Sequence, residues 1–451
     1  MSTMFQQSPT AVKPFLFAAT LILFVISILA GLELWNGLHQ VMVHVFLVFG
    51  FVLIVRHIIL LYAAWQRNKE LPTEQSIHNS QSTHGFNSAN DYPSISIIIP
   101  AYNEESVIQQ SLSSLLQLDY PDYEVIMVDD GSSDNTVSIA QNILKKHQLS
   151  QNSTSLRILT QTNAGKSSAL NMGLRHAQGE LVLCVDSDSR LASDSLKWGV
   201  EHFKDPRVAA VAGHVEVANS NHWLTRFQQL EYLISQNFVR RGLSWFGIVT
   251  VIPGPVGLFK RQVIEEVGGY SEDKNLFAED ADLTVRFLTK GYRIVSEDRM
   301  MASTEAPVEI YPLLRQRYRW KRGIYQTLHL NFKELILANQ SRQSFIAVFL
   351  VLEGFFMEVM SFAITLFILA SFFRFAELKL LYAWFGLLFI LDVLVLILAV
   401  GKGWWKAIPL LFMQKLVYGY ALQGWGVFSL LDEWRSSKMS WDKVERVGGL
   451  S

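Results

Sequence analysis

The polar middle of this chain is bracketed by apolar runs too long to hide in a water-soluble fold, and that constraint precedes any other. The stretch "PFLFAATLILFVISILAGL", Pro14 to Leu32, carries no charged residue and is long enough to cross a hydrocarbon core of about 30 Å. It outruns the apolar region of a signal peptide, and no small-residue cleavage pattern follows it. A second run, Val41 to Trp65, contains Arg56 but is otherwise apolar enough to span. Ser344 to Phe373 and Leu380 to Val400 read as two more spans. Ala407 to Leu431 is a fifth apolar stretch, but it holds Lys415 and glutamines. As a full span it would put Arg435, Lys438, Lys443 and Arg446 outside, against the rule that basic residues stay on the cytoplasmic side. A re-entrant or interfacial path is therefore expected for it, giving four or five spans. No lysine or arginine lies between the first two runs, whereas Arg67 and Lys69 follow the second at once. That asymmetry places the middle of the chain in the cytoplasm.

Composition agrees. Of 451 residues, 50% are hydrophobic and only 18% charged, an excess of apolar residues that is clustered rather than spread. A net charge of -1 gives no reason to expect nucleic acid as a partner. The single cysteine, Cys184, excludes an intrachain disulfide framework, fits a reducing compartment, and reads as core packing inside an apolar strand.

The polar body opens with "ELPTEQSIHNSQSTHGFNSAND", a linker too polar to fold by itself. Strands and helices then alternate: "SISIIIP", a helix over Glu105 to Gln117, "YEVIMVDD", a helix over Asn135 to His147, "LRILT", a helix over Lys166 to Ala177, and "ELVLCVDSD". Such alternation predicts a parallel sheet with right-handed crossovers, in which ligands collect at the carboxyl ends of the strands. At those ends stand Pro100-Ala101-Tyr102-Asn103-Glu104, Asp129-Asp130-Gly131, Asn163-Ala164-Gly165-Lys166 and Asp186-Ser187-Asp188. All are expected on one edge.

Asp186 and Asp188, two residues apart after a buried strand, suit Mg2+ or Mn2+, which keeps waters and binds one or two carboxylates plus substrate phosphates. A lone Asp-x-Asp is more often a turn that caps the next helix, but "MVDDGSSD" supplies a second acidic strand end in the same sheet. Asp130 could hydrogen-bond a base or ribose there, while Asp129 shapes the turn. Gly165-Lys166-Ser167 has a phosphate-loop look, yet the glycine that loop needs five positions earlier is Thr160, so a P-loop enzyme is not expected. A helix start with Lys166 can still attract a diphosphate. In "LFAEDADLT", Glu279, Asp280 and Asp282 precede a helix running to Lys290. A helix cap would account for one acid, Asp280; a reaction that deprotonates a hydroxyl needs a carboxylate there. Finally, in "LRQRYRWKRG" a helix puts Gln316, Arg319 and Trp320 on one face. An indole that stacks on a sugar beside a guanidinium that grips phosphate makes a substrate site. Arg315, Arg317, Lys321 and Arg322 would face lipid headgroups or solvent.

The blocks "IIIPAYNEE", "VDDGSSDNT", "NAGKSSALNMGL", "VDSDS", "AEDADLT" and "QRYRW" occur in the order and approximate spacing seen in processive family 2 glycosyltransferases. The similarity covers about Ile95 to Gly323, and "NHWLTRFQQLEYLISQNFVRRG" and "PGPVGLFKR" look most like the bacterial poly-β-1,6-N-acetylglucosamine synthases. The resemblance implies an α/β, Rossmann-like GT-A domain with a mostly parallel sheet, cytoplasmic and inserted between transmembrane helices of a bacterial inner membrane. The corresponding division is two spans over 1–66, a linker over 67–93, the catalytic domain over 94–310, interfacial helices over 311–340, two or three spans over 341–431 and a basic tail over 432–451. It implies that Ala101, Tyr102, Glu104 and Asp130 contact uridine, Lys166 the diphosphate, and Asp186 the ribose or diphosphate. Asp188 is the principal metal ligand with Asp186 beside it, Asp280 the general base supported by Glu279, and Gln316, Arg319 and Trp320 the signature at the acceptor and leaving group. The implied partners are a UDP-sugar, a growing glycan, the lipid bilayer and a small accessory or regulatory membrane subunit.

An aspartate at its ordinary pKa near 4 is already ionised at neutral pH, so one base suffices. Glu353 and Glu358 in the third span and Asp392 in the fourth either snorkel or pair with Arg374, or line a route by which glycan leaves. Two other classes compete at this level: a non-processive enzyme that adds one sugar to a lipid, and a non-catalytic membrane scaffold or nucleotide sensor on the same fold.

Overall fold

The computed structural model describes residues 9–34, 37–70, 92–149, 154–273, 276–337, 342–375 and 378–435; most of the polar linker and of the basic tail lie outside them. Two helices come first, α1 (Pro9–Gly31) and α2 (Leu38–Glu70). The middle of the chain then builds eight strands: β1 (Ile95–Ala101), β2 (Tyr123–Asp129), β3 (Ser155–Thr160), β4 (Leu181–Cys184), β5 (Ser189–Leu191), β6 (Val208–Val217), β7 (Gly257–Lys260) and β8 (Arg293–Thr304). Helices α3 (Ile108–Leu115), α4 (Thr136–Leu149), α5 (Lys166–His176), α6 (Ser195–Val200), α7 (Trp223–Ile234), α8 (Arg241–Phe246), α9 (Arg261–Glu266) and α10 (Glu279–Thr289) separate them. The chain closes with α11 (Ile310–Leu337), α12 (Arg342–Phe375), α13 (Leu378–Val400), α14 (Ile408–Met413) and α15 (Tyr420–Trp434).

The strands form one sheet in the order β3-β2-β1-β4-β7-β6-β8-β5. Its first four members are parallel, as the alternation of strands and helices requires. Beyond β4 the sheet is mixed: β7 runs antiparallel to both β4 and β6, β6 and β8 are parallel, and β5 is antiparallel to β8. Ile95, Ile97 and Ile99 point to one face, where they pack with Ile108, Leu112 and Leu115 of α3. Ile98 points to the other and joins Leu170 and Leu174 of α5 and Leu283 and Phe287 of α10. That second core does not stop at the domain edge. It includes Leu60 of α2 and Val395 of α13, so the sheet and the membrane helices share one apolar interior.

Among the described residues three helical stretches are long and apolar enough to cross a membrane: Leu38–Glu70, Phe356–Arg374 and Leu378–Val400. The Phe17–Gly31 part of α1 is a shorter apolar helix. The last apolar segment is a continuous helical run in which α14 passes into α15 through a π-helical turn over Gln414–Gly419. Because α2 continues past its apolar stretch to Glu70, it carries Arg67 against the α/β domain, where the guanidinium is buried and donates to the Ser296 carbonyl at 3.1 Å. Next to it Glu297, fully enclosed, is held by His202 at 2.8 Å and Arg299 at 2.7 Å. Lys69 stays outside, 3.2 Å from the centroid of the Trp65 ring. Arg67→Met should lower the unfolding free energy in detergent by about 2 kcal/mol, the value of a buried charge-assisted hydrogen bond, whereas Lys69→Met should change it by under about 0.5 kcal/mol. Thermal unfolding of the two variants checks this, and equal losses would contradict the burial argument.

Candidate functional site

The carboxyl edge of the parallel strands is sewn together by its own polar residues. Ala101 pairs with Asp129 across β1 and β2, and its carbonyl accepts from the Asp130 amide at 2.8 Å. Beyond β1, Asn103 takes a positive φ of 53°, which asparagine tolerates, and accepts from the Ser133 amide at 2.8 Å. The Glu104 amide donates to Thr136 Oγ1 at 2.7 Å. Asp129 accepts from the Ser132 amide at 3.2 Å and shapes the turn, as its spacing suggested.

Asp130 does more than face a ligand. Its Oδ1 accepts from the Ala164 amide at 2.9 Å and from Gln161 Nε2 at 2.7 Å, and its Oδ2 from the Gly165 amide at 2.8 Å. One buried carboxylate thus shapes the whole loop that precedes Lys166. Three of about four lone-pair positions are used, which leaves one acceptor direction for a ligand. Tyr102 stands half-buried beside this loop pair.

Lys166 opens α5 and reaches across the edge. Its Nζ lies 2.8 Å from Asp186 Oδ1 and 2.9 Å from Glu279 Oε1, which brings the ends of β4 and the start of α10 to one ammonium. Burial alone would lower its pKa, but Asp186 and Glu279 outweigh that and raise it well above the ordinary value. Asp188 is buried on the far side of the turn, where its Oδ1 accepts from Ser189 Oγ at 3.1 Å and Thr304 Oγ1 at 3.4 Å. Among the described residues no cluster of three or more His, Cys, Asp or Glu side chains is arranged to hold a metal ion alone. Asp186 and Asp188 are nevertheless hard carboxylates of the kind that Mg2+ or Mn2+ takes together with a diphosphate and waters.

The cap of α10 is Ala278, not Asp280, and it makes no side-chain cap bond. Asp280, one residue inside, accepts from the Ala281 amide at 2.8 Å. Burial first and the neighbouring Glu279 second raise its carboxyl to about 6, two units above the ordinary range, with Lys166 pulling the other way. The expectation of an aspartate near pKa 4 is corrected accordingly: the group remains largely ionised at pH 7 but is a stronger base. Cys184 is packing, as expected; its thiol lies 3.1 Å from the Tyr270 hydroxyl, and burial pushes it up to about 12.

Helix α11 carries the remaining candidates and touches the site from above. Gly323 lets it approach α10: a Cβ there would stand 2.5 Å from Ala278 Cβ and 2.9 Å from the Ala278 amide nitrogen. Further along the same face, Asn331 donates to Asp282 at 2.9 Å. Trp320 is exposed, and its ring lies 6.4 Å from that of Tyr232 on α7. Burial raises the Tyr232 phenol pKa, and Asp188 is among the acids that add to the rise, so Tyr232 sits within electrostatic reach of that strand-end carboxylate. Gln316 and Arg319 are half-buried on the same helix, Gln316 Oε1 accepting from Arg317 at 3.2 Å.

The expectation that the other basic residues face headgroups or solvent fails for Arg317 and Arg322. Arg317 and Arg322 are 6% and 3% exposed, too enclosed to face headgroups or water. Arg317 pairs with Glu231 at 2.9 Å, Arg322 with Glu433 at 2.9 Å and Lys321 with Glu358 at 2.8 Å. The reason is tertiary: α7, α12 and α15 each present a carboxylate to α11, and a buried cation needs one. The pairing of the spanning acids with Arg374 is replaced as well. Glu358 is held by Lys321 and by the Tyr325 hydroxyl at 2.9 Å, and Asp392 by Lys415 at 2.9 Å. The side chain of Glu353 lies outside the described part of its helix. A cavity of about 510 Å³ runs between these pairs, lined by Arg317, Lys321, Glu358, Asp392, Lys415 and Tyr420 among others. Nothing local in the chain marks Glu231, Tyr232 or Gly323 as site residues, since their partners are remote; the Arg317-x-x-Trp320 spacing is a usable signal for stacking.

Residues 96–268 match the family model described as glycosyl transferase family 2. A poly-beta-1,6-N-acetyl-D-glucosamine synthase of Staphylococcus epidermidis is 33% identical over 239 residues, 53% of this chain and 56% of that protein. The enzyme of the same name from Staphylococcus aureus is 31% identical over the same shares. The chain thus spans just over half the length of the curated relatives it matches. Among solved structures, a mannosyltransferase from Pyrobaculum calidifontis, in complex with GDP-Man and Mn2+, superposes with a TM-score of 0.58 at 21% identity, covering 87% of this chain and 99% of the other. That likeness establishes the GT-A-type fold.

If Asp280 is the proton acceptor, kcat/KM should fall about tenfold per pH unit below pH 6, because protonation removes the base. Glu279→Gln removes the carboxylate that repels the ionised form, so the acid limb should move to lower pH. A pH–rate profile of both proteins checks it; an unmoved limb would contradict the assignment.

Proposed function

Because residues 96–268 form a glycosyl transferase family 2 domain, we propose that this protein transfers N-acetylglucosamine from a UDP-sugar to a growing β-linked polysaccharide and passes the product through the bilayer of a bacterial inner membrane. The observation that carries the reading is the sharing of α11. One helix presents Trp320 beside Tyr232, which lies within electrostatic reach of Asp188, and, through Arg317 and Lys321, lines the polar cavity between the apolar helices. A chain made at the first place would emerge into the second. The names of the staphylococcal relatives support the choice of sugar and of polymer.

The chemistry is a single displacement with inversion. Asp280 takes the proton of the acceptor hydroxyl, that oxygen forms a bond to the anomeric carbon, and the bond from the anomeric carbon to the diphosphate oxygen breaks on the opposite face. Ala101, Tyr102, Glu104 and the free acceptor direction of Asp130 hold the nucleoside at the edge of β1 and β2. Lys166 exchanges a carboxylate for the diphosphate and, with Arg319, stabilises the charge that develops on the leaving group. Asp188 and Asp186 would hold Mg2+ or Mn2+, which supplies further neutralisation of the diphosphate. Trp320 stacks on the acceptor sugar and Gln316 orients it. A small accessory or regulatory membrane subunit belongs to the proposal as a further partner.

Membranes containing the protein, incubated with separate radiolabelled UDP-sugars, should yield long polymer from UDP-N-acetylglucosamine, degraded by a hydrolase specific for β-1,6-linked hexosamine. Asp280→Asn should bind UDP normally and make no polymer. A singly glycosylated lipid as the only product would replace the reading with a non-processive one, and near-normal turnover by Asp280→Asn would remove its base. For the exit path, Glu358→Gln should leave the KM for the UDP-sugar unchanged and cut secreted polymer about tenfold, the loss of one charge-assisted contact. Unchanged secretion in Glu358→Gln and Asp392→Asn would make both acids structural.

A further inference from the structure

On a helix, residues three apart lie one turn from each other, so an arginine can lay its planar head on the indole of the tryptophan that follows. Arg317 does this. Its guanidinium carbon lies 4.2 Å from the centroid of the Trp320 ring and 5.5 Å from that of Tyr232. The plane is held in place by hydrogen bonds at its end, since Nη2 donates to Glu231 Oε2 at 2.9 Å and Nη1 to Gln316 Oε1 at 3.2 Å. The same Glu231 oxygen accepts from the Tyr418 hydroxyl at 2.5 Å.

Tyr418 belongs to the π-helical turn between α14 and α15. One turn earlier, Gln414 donates to the Phe227 carbonyl at 2.9 Å, and Phe227 stands one turn before Glu231 on α7. The π turn is thus pinned to α7 by two rungs of equal spacing, and the second rung ends on the carboxylate that holds Arg317. Buried ion pairs are weak sources of stability, because desolvation takes back most of what the attraction gives. Local widening of a helix to π geometry also costs hydrogen-bond quality and recurs at functional places. Both features point to placement of a group, and the group they share is the Trp320 indole.

We propose that Arg317 is a positioning residue: with Glu231 and Tyr418 it fixes the Trp320 indole for the acceptor sugar, so that the last membrane segment sets the geometry of the acceptor subsite. The value of this placement for transfer rests on the reading that Trp320 receives the acceptor. The placement itself is a property of the apoprotein and can be measured without any turnover.

The full-length protein in detergent, labelled with 5-fluorotryptophan, gives one fluorine resonance for each of 12 tryptophans. The Trp320 signal is identified as the one lost in Trp320→Phe. Arg317→Gln, Glu231→Gln and Tyr418→Phe should each move that signal and leave the signals of tryptophans remote from α11 in place. Arg317→Lys should move it too, because an ammonium keeps the charge but not the plane. The double variant Arg317→Gln with Glu231→Gln should shift it no further than the first alone, as expected for one coupled unit. In the transfer assay, Arg317→Gln should lower kcat about tenfold or more while the KM for the UDP-sugar changes less than about twofold. A Trp320 signal unmoved by Arg317→Gln, or moved additively by the pair, would overturn the proposal. So would a general shift of all tryptophan signals with a raised donor KM, the pattern of a merely structural residue. Absence of polymer from the unaltered protein would defeat the polymerase reading alone, since the fluorine signals decide the placement independently.

Discussion

Cations buried on an amphipathic helix cannot be left unpaired, and on α11 this requirement organises the molecule. Arg317, Lys321 and Arg322 find Glu231, Glu358 and Glu433, which lie on α7, α12 and α15. Removing one partner from such a pair costs far more than the pair contributes, so the three carboxylates fix where three separate helices must sit. Close approach follows from the same demand. Gly426 on α15 faces Glu358 so tightly that a Cβ would come within 2.1 Å of its Oε1, and only a glycine lets the carboxylate stand there. With α11 clamped from three sides, the absence of a side chain at Gly323 lets its remaining face settle on the start of α10, which carries Glu279 and Asp280.

The donor edge obeys a related rule at smaller scale. Asp130 gathers two loop amides and a glutamine, Lys166 gathers Asp186 and Glu279, and each of these centres joins elements that are distant in the chain. The edge is therefore shaped before any ligand arrives, which lowers the ordering cost of binding. Asp280, the proposed base, shares that enclosure: burial and a neighbouring carboxylate raise its pKa toward the neutral range, where a general base is more effective.

Much of this was legible in the sequence because it is local. The parallel half of the sheet follows from alternation of apolar strands with helices, and the acidic and glycine-rich strand ends follow from the same register. The mixed half was not legible. β8, "RIVSEDRMMAST", carries charges in its middle that mask any strand period, because Glu297 and Arg299 bond to each other and to His202 rather than to solvent. In the last apolar segment Lys415 sits opposite Asp392, in a π turn that no apolar count reveals.

Sequence alone determined the chemistry available at the strand ends and which helices are apolar enough for a bilayer, since both depend on residue type and short spacing. It also placed Gln316, Arg319 and Trp320 on one helical face. Only the tertiary structure decided that Arg317 and Arg322 are interior rather than collar residues and that Lys321, still partly exposed, is paired with Glu358. The reason is physical: whether a charge is buried depends on a partner some tens of residues or more away being brought against it, and no period in α11 itself encodes where Glu231, Glu358 and Glu433 will be.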